Sequence, residues 1–338
     1  MKRIVALLAC FIFAVIALPQ AHAAADDKEP FKVTTTGIGA KGSFKAIVEA
    51  FHAIYRHAYP GTAATVKPSS VAGGMVDVAG GGADVHFSIT TIDYEYGING
   101  QAPFQSKLPD GALLHMFTLM DNLDMYYLAR QEWAESNGIK TLADIARVKP
   151  KMNLGMNRKG VLVTNVTIAD IFEEYGFSPE DVLEWGGNIA YNASRASLQD
   201  LRDGKTDLMI EFGIQPDARI VDISKTRDLV WLSPERGVLD KVAARRDMQI
   251  VQIPAAHYNF LGEDVTTLRT GATVAAGRHV GEEAVYKMVR AVAENLDRVH
   301  AIHSAFKTFS KETMLAKPKA MDYHPGAARY YRERGWLD

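Results

Sequence analysis

The chemistry available to this sequence lies in a few charged side chains and in loops rich in hydroxyls and glycines. Glu211 follows the apolar run Leu208-Met209-Ile210 and precedes Phe212-Gly213. A carboxylate left unpaired beside such a run is costly, so Glu211 is expected either to contact a ligand or to pair with Arg158 or Lys159. Arg158 lies in the segment Asn157-Arg158-Lys159-Gly160, where a guanidinium can grip a carboxylate through two parallel hydrogen bonds. A solvated loop position is the alternative for Arg158. Four loops, 36–43, 69–74, 88–91 and 156–161, carry Thr36, Gly39, Gly42, Ser43, Ser70, Thr90, Thr91 and Asn157. These groups orient a small polar solute by hydrogen bonds and have no acid–base power of their own. Each loop alone is ordinary turn chemistry, so the expectation of a site rests on their convergence.

Other chemistries lack their signatures. Gly37-x-Gly39-x-x-Gly42 has glycine spacing like that of a dinucleotide fingerprint, but Ser43-Phe44 follows and no acidic residue ends a second strand at the required distance. A serine-nucleophile elbow, a Gly-Lys-Thr/Ser phosphate loop and a His-Glu-x-x-His motif are all missing. The pairs His52/His57 and His300/His303 have near-helical spacing but no carboxylate neighbour, and read as solvated helix faces, not metal ligands. Cys10 is the one cysteine, which leaves no disulfide or thiolate chemistry once an N-terminal leader is removed. No catalytic residue, metal or cofactor is expected. The net charge of −2 lacks the basic excess that nucleic acid requires.

The elements that must position the loops follow from hydrophobic periodicity. Phe31 to Thr35 is β-rich, a glycine loop follows, and from Phe44 apolar residues recur at helical spacing with Ser43 as a plausible N-cap. A strand, glycine loop and helix in that order leave backbone N–H groups at a helix N-terminus, which favours an anion. Further strands are expected at 64–66, 84–89, 113–120, 125–129 and 151–155, with helices opening near 141 and 164. A run at 265–276 is expected to cross back between lobes, and 282–303 reads as one helix. Gly81-Gly82-Ala83-Asp84 and Gly204-Lys205-Thr206-Asp207 each lead into a strand. The two halves therefore share a build. Alternating strands and helices imply α/β sheets with mostly parallel strands, which bind ligands beyond their carboxyl ends. The length suits two lobes with separate cores, 31–122 plus 272–338 and 123–271.

At the N-terminus, Lys2-Arg3, an apolar run from Ile4 to Leu18 and Ala21-His22-Ala23 have the layout of a secretory signal over residues 1–23. The run is shorter than the roughly 20 residues of a spanning helix and meets Pro19. Leu7-Leu8-Ala9-Cys10 loosely resembles a lipidation box, but the apolar segment continues past Cys10. Exported protein is expected to begin at Ala24, unlipidated and periplasmic. An intact mass showing an acylated Cys10 would contradict this.

The ending Tyr323-His324-Pro325-Gly326-Ala327-Ala328-Arg329-Tyr330-Tyr331 resembles that of the TAXI-type solute receptors of TRAP transporters. Three further segments are similar to that family: Thr36 to Phe44, Gly138-Ile139-Lys140-Thr141-Leu142-Ala143-Asp144-Ile145, and Asp203-Gly204-Lys205-Thr206-Asp207. The resemblance implies a two-lobed periplasmic-binding-protein fold with hinge strands. It also implies a small acid such as glutamate or a dicarboxylate held between the lobes, and delivery to a TRAP membrane permease. Phe44 stands where a tyrosine is common in that family, and Arg158-Lys159-Gly160-Val161 replaces a small Gly-Ser-Gly-Thr loop. Ile89-Thr90-Thr91 replaces Gln-Ser-Asp. These departures fall at the expected contacts and bear on the ligand more than on the fold. A sensor of the same fold, feeding a signalling partner, is the rival reading. An enzyme on this fold would need a constellation the sequence lacks.

Overall fold

A computed structural model of the protein describes residues 28–37, 39 and 43–338; the expected signal segment and Gly42 lie outside the described residues. The strands are, in chain order, β1 (Lys32–Thr36), β2 (Ala63–Val66), β3 (Val85–Ile89), β4 (Leu113–Arg130), β5 (Asn153–Asn157), β6 (Asn188–Asn192), β7 (Leu208–Gly213), β8 (Leu229–Trp231), β9 (Gln249–Ile253) and β10 (Val265–Gly277). They form one sheet in the order β2-β1-β3-β10-β4-β7-β5-β6, with β8 on β4 and β9 on β10. Within each half the strands are parallel: β1 with β2 and β3, and β5 with β6 and β7. Each parallel connection runs through a helix, as parallel pairing requires a long crossover. The α/β expectation therefore holds.

The long strands β4 and β10 are antiparallel to each other and run through both halves. Because β3 is antiparallel to β10, and β7 to β4, the parallel strands of both halves run toward the crossing. Their carboxyl ends converge on the middle of the molecule.

The expected strands 113–120 and 125–129 are in fact one strand, β4. Its polar middle stays in the sheet because its side chains are satisfied there. Asp124 accepts from Arg269 Nε at 2.6 Å and Nη2 at 2.9 Å. Asp121 accepts from Thr313 Oγ1 at 3.0 Å, and Asn122 Nδ2 donates to Ala305 O at 3.1 Å. The expected helix 282–303 breaks into Glu282–Ala293 and Leu296–His300. There the Asn295 side chain donates to Ala291 O at 2.8 Å, competing with the helical backbone as short amides do.

The two glycine–aspartate turns perform the same task in each half. Asp84 donates its N–H to Thr34 O and accepts Gly277 N–H on its own carbonyl, both at 2.9 Å, while its carboxylate accepts Thr34 N–H at 2.7 Å. Asp207 donates to Asn153 O at 2.8 Å, accepts Arg130 N–H at 3.0 Å, and its carboxylate accepts Asn153 N–H at 2.7 Å. Each aspartate thus ties a parallel strand to a crossing strand. Asp207 alone adds an ion pair with Arg130 and a bond from Asn153 Nδ2 at 3.1 Å.

Two buried clusters flank the sheet. One gathers Val48, Phe51, Phe87, Phe117, Val289, Phe306 and Tyr331. The other centres on Met125–Ala129, Leu154, Ile168, Phe172, Leu201 and Ile210, and reaches Met75, Val78 and Ile92 of the first half. The C-terminal helix Pro325–Glu333 docks on Glu282–Ala293. Gly326 permits this approach, since a Cβ there would lie 2.1 Å from Glu282 O, and the Tyr331 hydroxyl donates to Met116 O at 2.6 Å.

Candidate ligand-binding site

In the first half, β1 ends at buried Thr36, whose hydroxyl bonds Ser69 Oγ at 2.7 Å; Ser69 Oγ also accepts Gly37 N–H at 2.9 Å. Gly37 has φ +84 and lies against the His86 ring, so that a Cβ would sit 2.2 Å from His86 Cε1. Burial holds the His86 imidazole neutral, with its pKa lowered to about 4, and its Nε2 bonds Val71 O at 2.9 Å. Ser70, by contrast, caps the helix Val71–Ala79 by accepting Gly73 N–H at 3.1 Å. Ser69 is therefore the residue joined to Thr36. Gly39 is exposed and Phe44 packs on the first cluster; the side chain of Ser43 lies outside the described residues.

At the end of β3, Ser88 has φ 68, a conformation rare outside glycine. The next turn opens the helix Thr91–Asn99 through a capping box. The Thr90 hydroxyl donates to Asp93 at 2.7 Å and accepts Asp93 N–H at 3.2 Å. Burial raises the Asp93 pKa to about 6 against these bonds. The Thr90 side chain is thus engaged in capping the helix.

In the second half, β5 runs to Asn157 and places it beside Glu211 of β7. Glu211 is 2 % exposed. Its carboxylate accepts from Asn157 Nδ2 at 2.7 and 2.9 Å, Thr164 Oγ1 at 2.8 Å, Ser194 Oγ at 3.1 Å and Phe212 N at 3.2 Å. All four donors are neutral. Burial raises the Glu211 pKa above its ordinary 4.5, and these hydrogen bonds oppose the rise only in part. The expectation that Glu211 holds Arg158 or Lys159 is corrected. Lys159 lies over the Tyr191 ring at 5.0 Å. The exposed Arg158 guanidinium has no ion pair among the described residues, while its backbone N–H donates to Asn157 Oδ1 at 2.8 Å. Asn157 therefore supports both the loop and the buried carboxylate, and has no need of a cation to do so.

Sequence reasoning missed the contributions of Thr164 and Ser194, and also a cluster just past β7. There the Tyr258 hydroxyl accepts Asp217 N–H at 2.8 Å and donates to Gln215 Oε1. Arg219 Nε donates to both Asp217 carboxylate oxygens, at 3.0 and 3.2 Å. Gly213-Ile214-Gln215-Pro216 was the available signal, since it is a polar turn at a strand's carboxyl end like the loops singled out.

The halves also meet directly. Arg246 donates to Asp170 at 2.6 Å and to both oxygens of Glu95 at 3.0 Å, bridging the first-half helix Thr91–Asn99 to the second half. On one edge of β10, pairing passes from β3 at Thr273 to β9 at Arg269. The gap holds a cavity of about 280 Å³ lined by Ile89, Thr91, Gln249, Gly271 and Lys317 among others. Of the expected contacts among the described residues, Thr91 lines it. The His300/His303 pair serves the chain locally, with His300 Nε2 on Phe309 O at 2.8 Å and His303 Nδ1 accepting Ala305 N–H at 3.1 Å. Among the described residues no helix is long and apolar enough to cross a membrane.

The profile of the NMT1-like family matches residues 61–335. No curated protein sequence matches the chain. Among solved structures, MatC from Rhodopseudomonas palustris with bound malate is similar at 17 % identity and a TM-score of 0.50, covering 90 % of this chain and 97 % of that one. PhnD1 from Prochlorococcus marinus in complex with methylphosphonate is similar at 9 % identity and a TM-score of 0.53, covering 92 % of this chain and 100 % of that one. At these identities the likeness is one of fold.

Proposed function

We propose that this chain, which belongs to the NMT1-like family, is an extracytoplasmic solute receptor that captures a small anionic or zwitterionic organic acid and hands it to a membrane permease of the TRAP type. The observation that carries the reading is the convergence of the parallel strands of both halves on the crossing of β4 and β10. The convergent ends hold hydroxyl, amide and backbone donors, the kind of lining a small polar solute needs. The halves then act as lobes, 31–122 plus 272–338 and 123–271, that close on the solute. The Arg246 bridge to Glu95 is one contact that joins the two halves. The malate and methylphosphonate in the two structures of similar fold are in keeping with an acid, and the motifs resembling TAXI receptors supply the TRAP partner.

The test is a thermal-shift screen over dicarboxylates, amino acids and phosphonates, because a ligand bound only by the folded state raises Tm. A screen in which no acid shifts Tm would sink the reading. For the acid found, Arg158→Ala is expected to weaken binding roughly ten- to a hundredfold, the loss of a charge-assisted bond of about 1.5–3 kcal/mol. Stability should change little, as Arg158 is exposed and has no ion pair among the described residues. Unchanged affinity by calorimetry would remove Arg158 from the site.

A further inference from the structure

Among the buried side-chain atoms that have no partner in the described residues, two donors belong to Tyr126 and to the turn just past β7. The Tyr126 hydroxyl is one; Tyr126 is 0 % exposed. Gln215 Nε2 is the other. The Tyr258 hydroxyl accepts Asp217 N–H and gives its one proton to the Gln215 carbonyl oxygen. The amide nitrogen has no partner among the described residues. Buried polar atoms are nearly always paired, so these two donors can take an acceptor from outside the chain.

The place is well defined. Tyr126 and Glu211 are direct register partners on β4 and β7, and therefore share a face of the sheet. The Tyr126 ring edge lies over Gly213, where a Cβ would be 3.0 Å from Tyr126 Cε1 and 3.9 Å from Asp217 Oδ2. Glu211, Asp217, Arg219 and Tyr258 are all within electrostatic reach of the Tyr126 hydroxyl. Arg219 completes the set. Asp217 holds it through Nε and Nη2, Nη1 has no partner among the described residues, and the side chain is 48 % exposed. The Asp217 charge is neutralised by this pairing, and the Glu211 carboxylate is enclosed by its own donors.

We propose that Tyr126, Gln215 and Arg219 form a carboxylate subsite at the carboxyl end of β7. The inference rests on the receptor reading and adds to it a second anchor, distinct from Arg158 and on the other side of the Glu211 network. Three donors, one of them cationic, favour an oxyanion, and the planar guanidinium suits a carboxylate.

The test measures binding of succinate, L-malate and L-glutamate by calorimetry, with Tm followed in parallel. The expected result is that Arg219→Ala weakens the acid bound by wild type ten- to a hundredfold and Arg219→Lys recovers part of the loss. Tyr126→Phe should weaken it about five- to tenfold while the Tm of the unliganded protein stays level or rises, since the deleted hydroxyl has no partner among the described residues. A merely structural tyrosine would not separate the two readouts in this way. If wild type binds an acid and Tyr126→Phe binds it equally well, the subsite is wrong and the receptor reading survives. If wild type binds none of the three acids, the subsite falls; a screen that also finds no other acid takes the receptor reading with it.

Discussion

Replacing Glu211 with leucine is expected to destabilise the protein by about 2–6 kcal/mol, from two orphaned N–H donors at roughly 1–3 kcal/mol each. The hydroxyls of Thr164 and Ser194 can turn to other acceptors. Asn157 Nδ2 and Phe212 N are fixed by β5 and β7 and cannot. Glu211→Gln should cost less than Glu211→Leu without being neutral: one carbonyl oxygen can serve Asn157, Thr164 and Phe212 while the new amide donates to Ser194, but that amide replaces an oxygen 2.7 Å from Asn157 Nδ2 and sets two donors against each other. The two variants separate size from charge. The pH dependence has a definite sign. Burial raises the Glu211 pKa in the folded state above its ordinary 4.5, so the folded state holds the proton more tightly than the unfolded chain. The contribution of Glu211 to stability is therefore full below the unfolded value and is lost as pH rises through the folded one. Wild type should lose stability relative to Glu211→Gln over that window. Denaturant titrations from pH 4 to 8 would show it, and a difference that is flat or grows the other way would refute the assignment.

Asp207→Ala should cost about 3–5 kcal/mol, the loss expected when one partner of a buried ion pair is removed. Asp207 is 5 % exposed. It pairs with Arg130, itself largely enclosed, and also accepts the backbone and side-chain N–H groups of Asn153. The matching change Asp84→Ala should cost only about 1–2 kcal/mol, since its carboxylate accepts one backbone N–H and its ionic neighbour His279 is 3.7 Å away at a partly exposed position. Urea unfolding of both variants checks the ranking. Equal losses would mean that the Arg130 pair adds nothing to the shared turn.

Local pattern alone was enough for much of the architecture. The βα alternation, the two glycine–aspartate turns, the crossing strand at 265–276 and the docked C-terminal helix all depend on neighbours within a turn or a strand, and periodicity reports those. The site was legible only as a set of loops at strand ends. Which atoms in those loops are already engaged was decided by the tertiary structure. Thr90 and Ser70 turned out to cap helices, because an N-cap hydroxyl satisfies its own helix first. Glu211 is 54 residues from Asn157 and 47 from Thr164, so only the register of β7 beside β5 could reveal that neutral donors, not Arg158, enclose it. The Tyr126 hydroxyl was equally hidden, since the sequence shows a tyrosine in an apolar strand and only packing shows that its oxygen has no partner among the described residues. The sequence determined which segments become strands and helices, because that follows from short-range sterics and burial. The sheet order determined which polar atoms meet, because hydrogen bonds between distant segments exist only once the strands are paired.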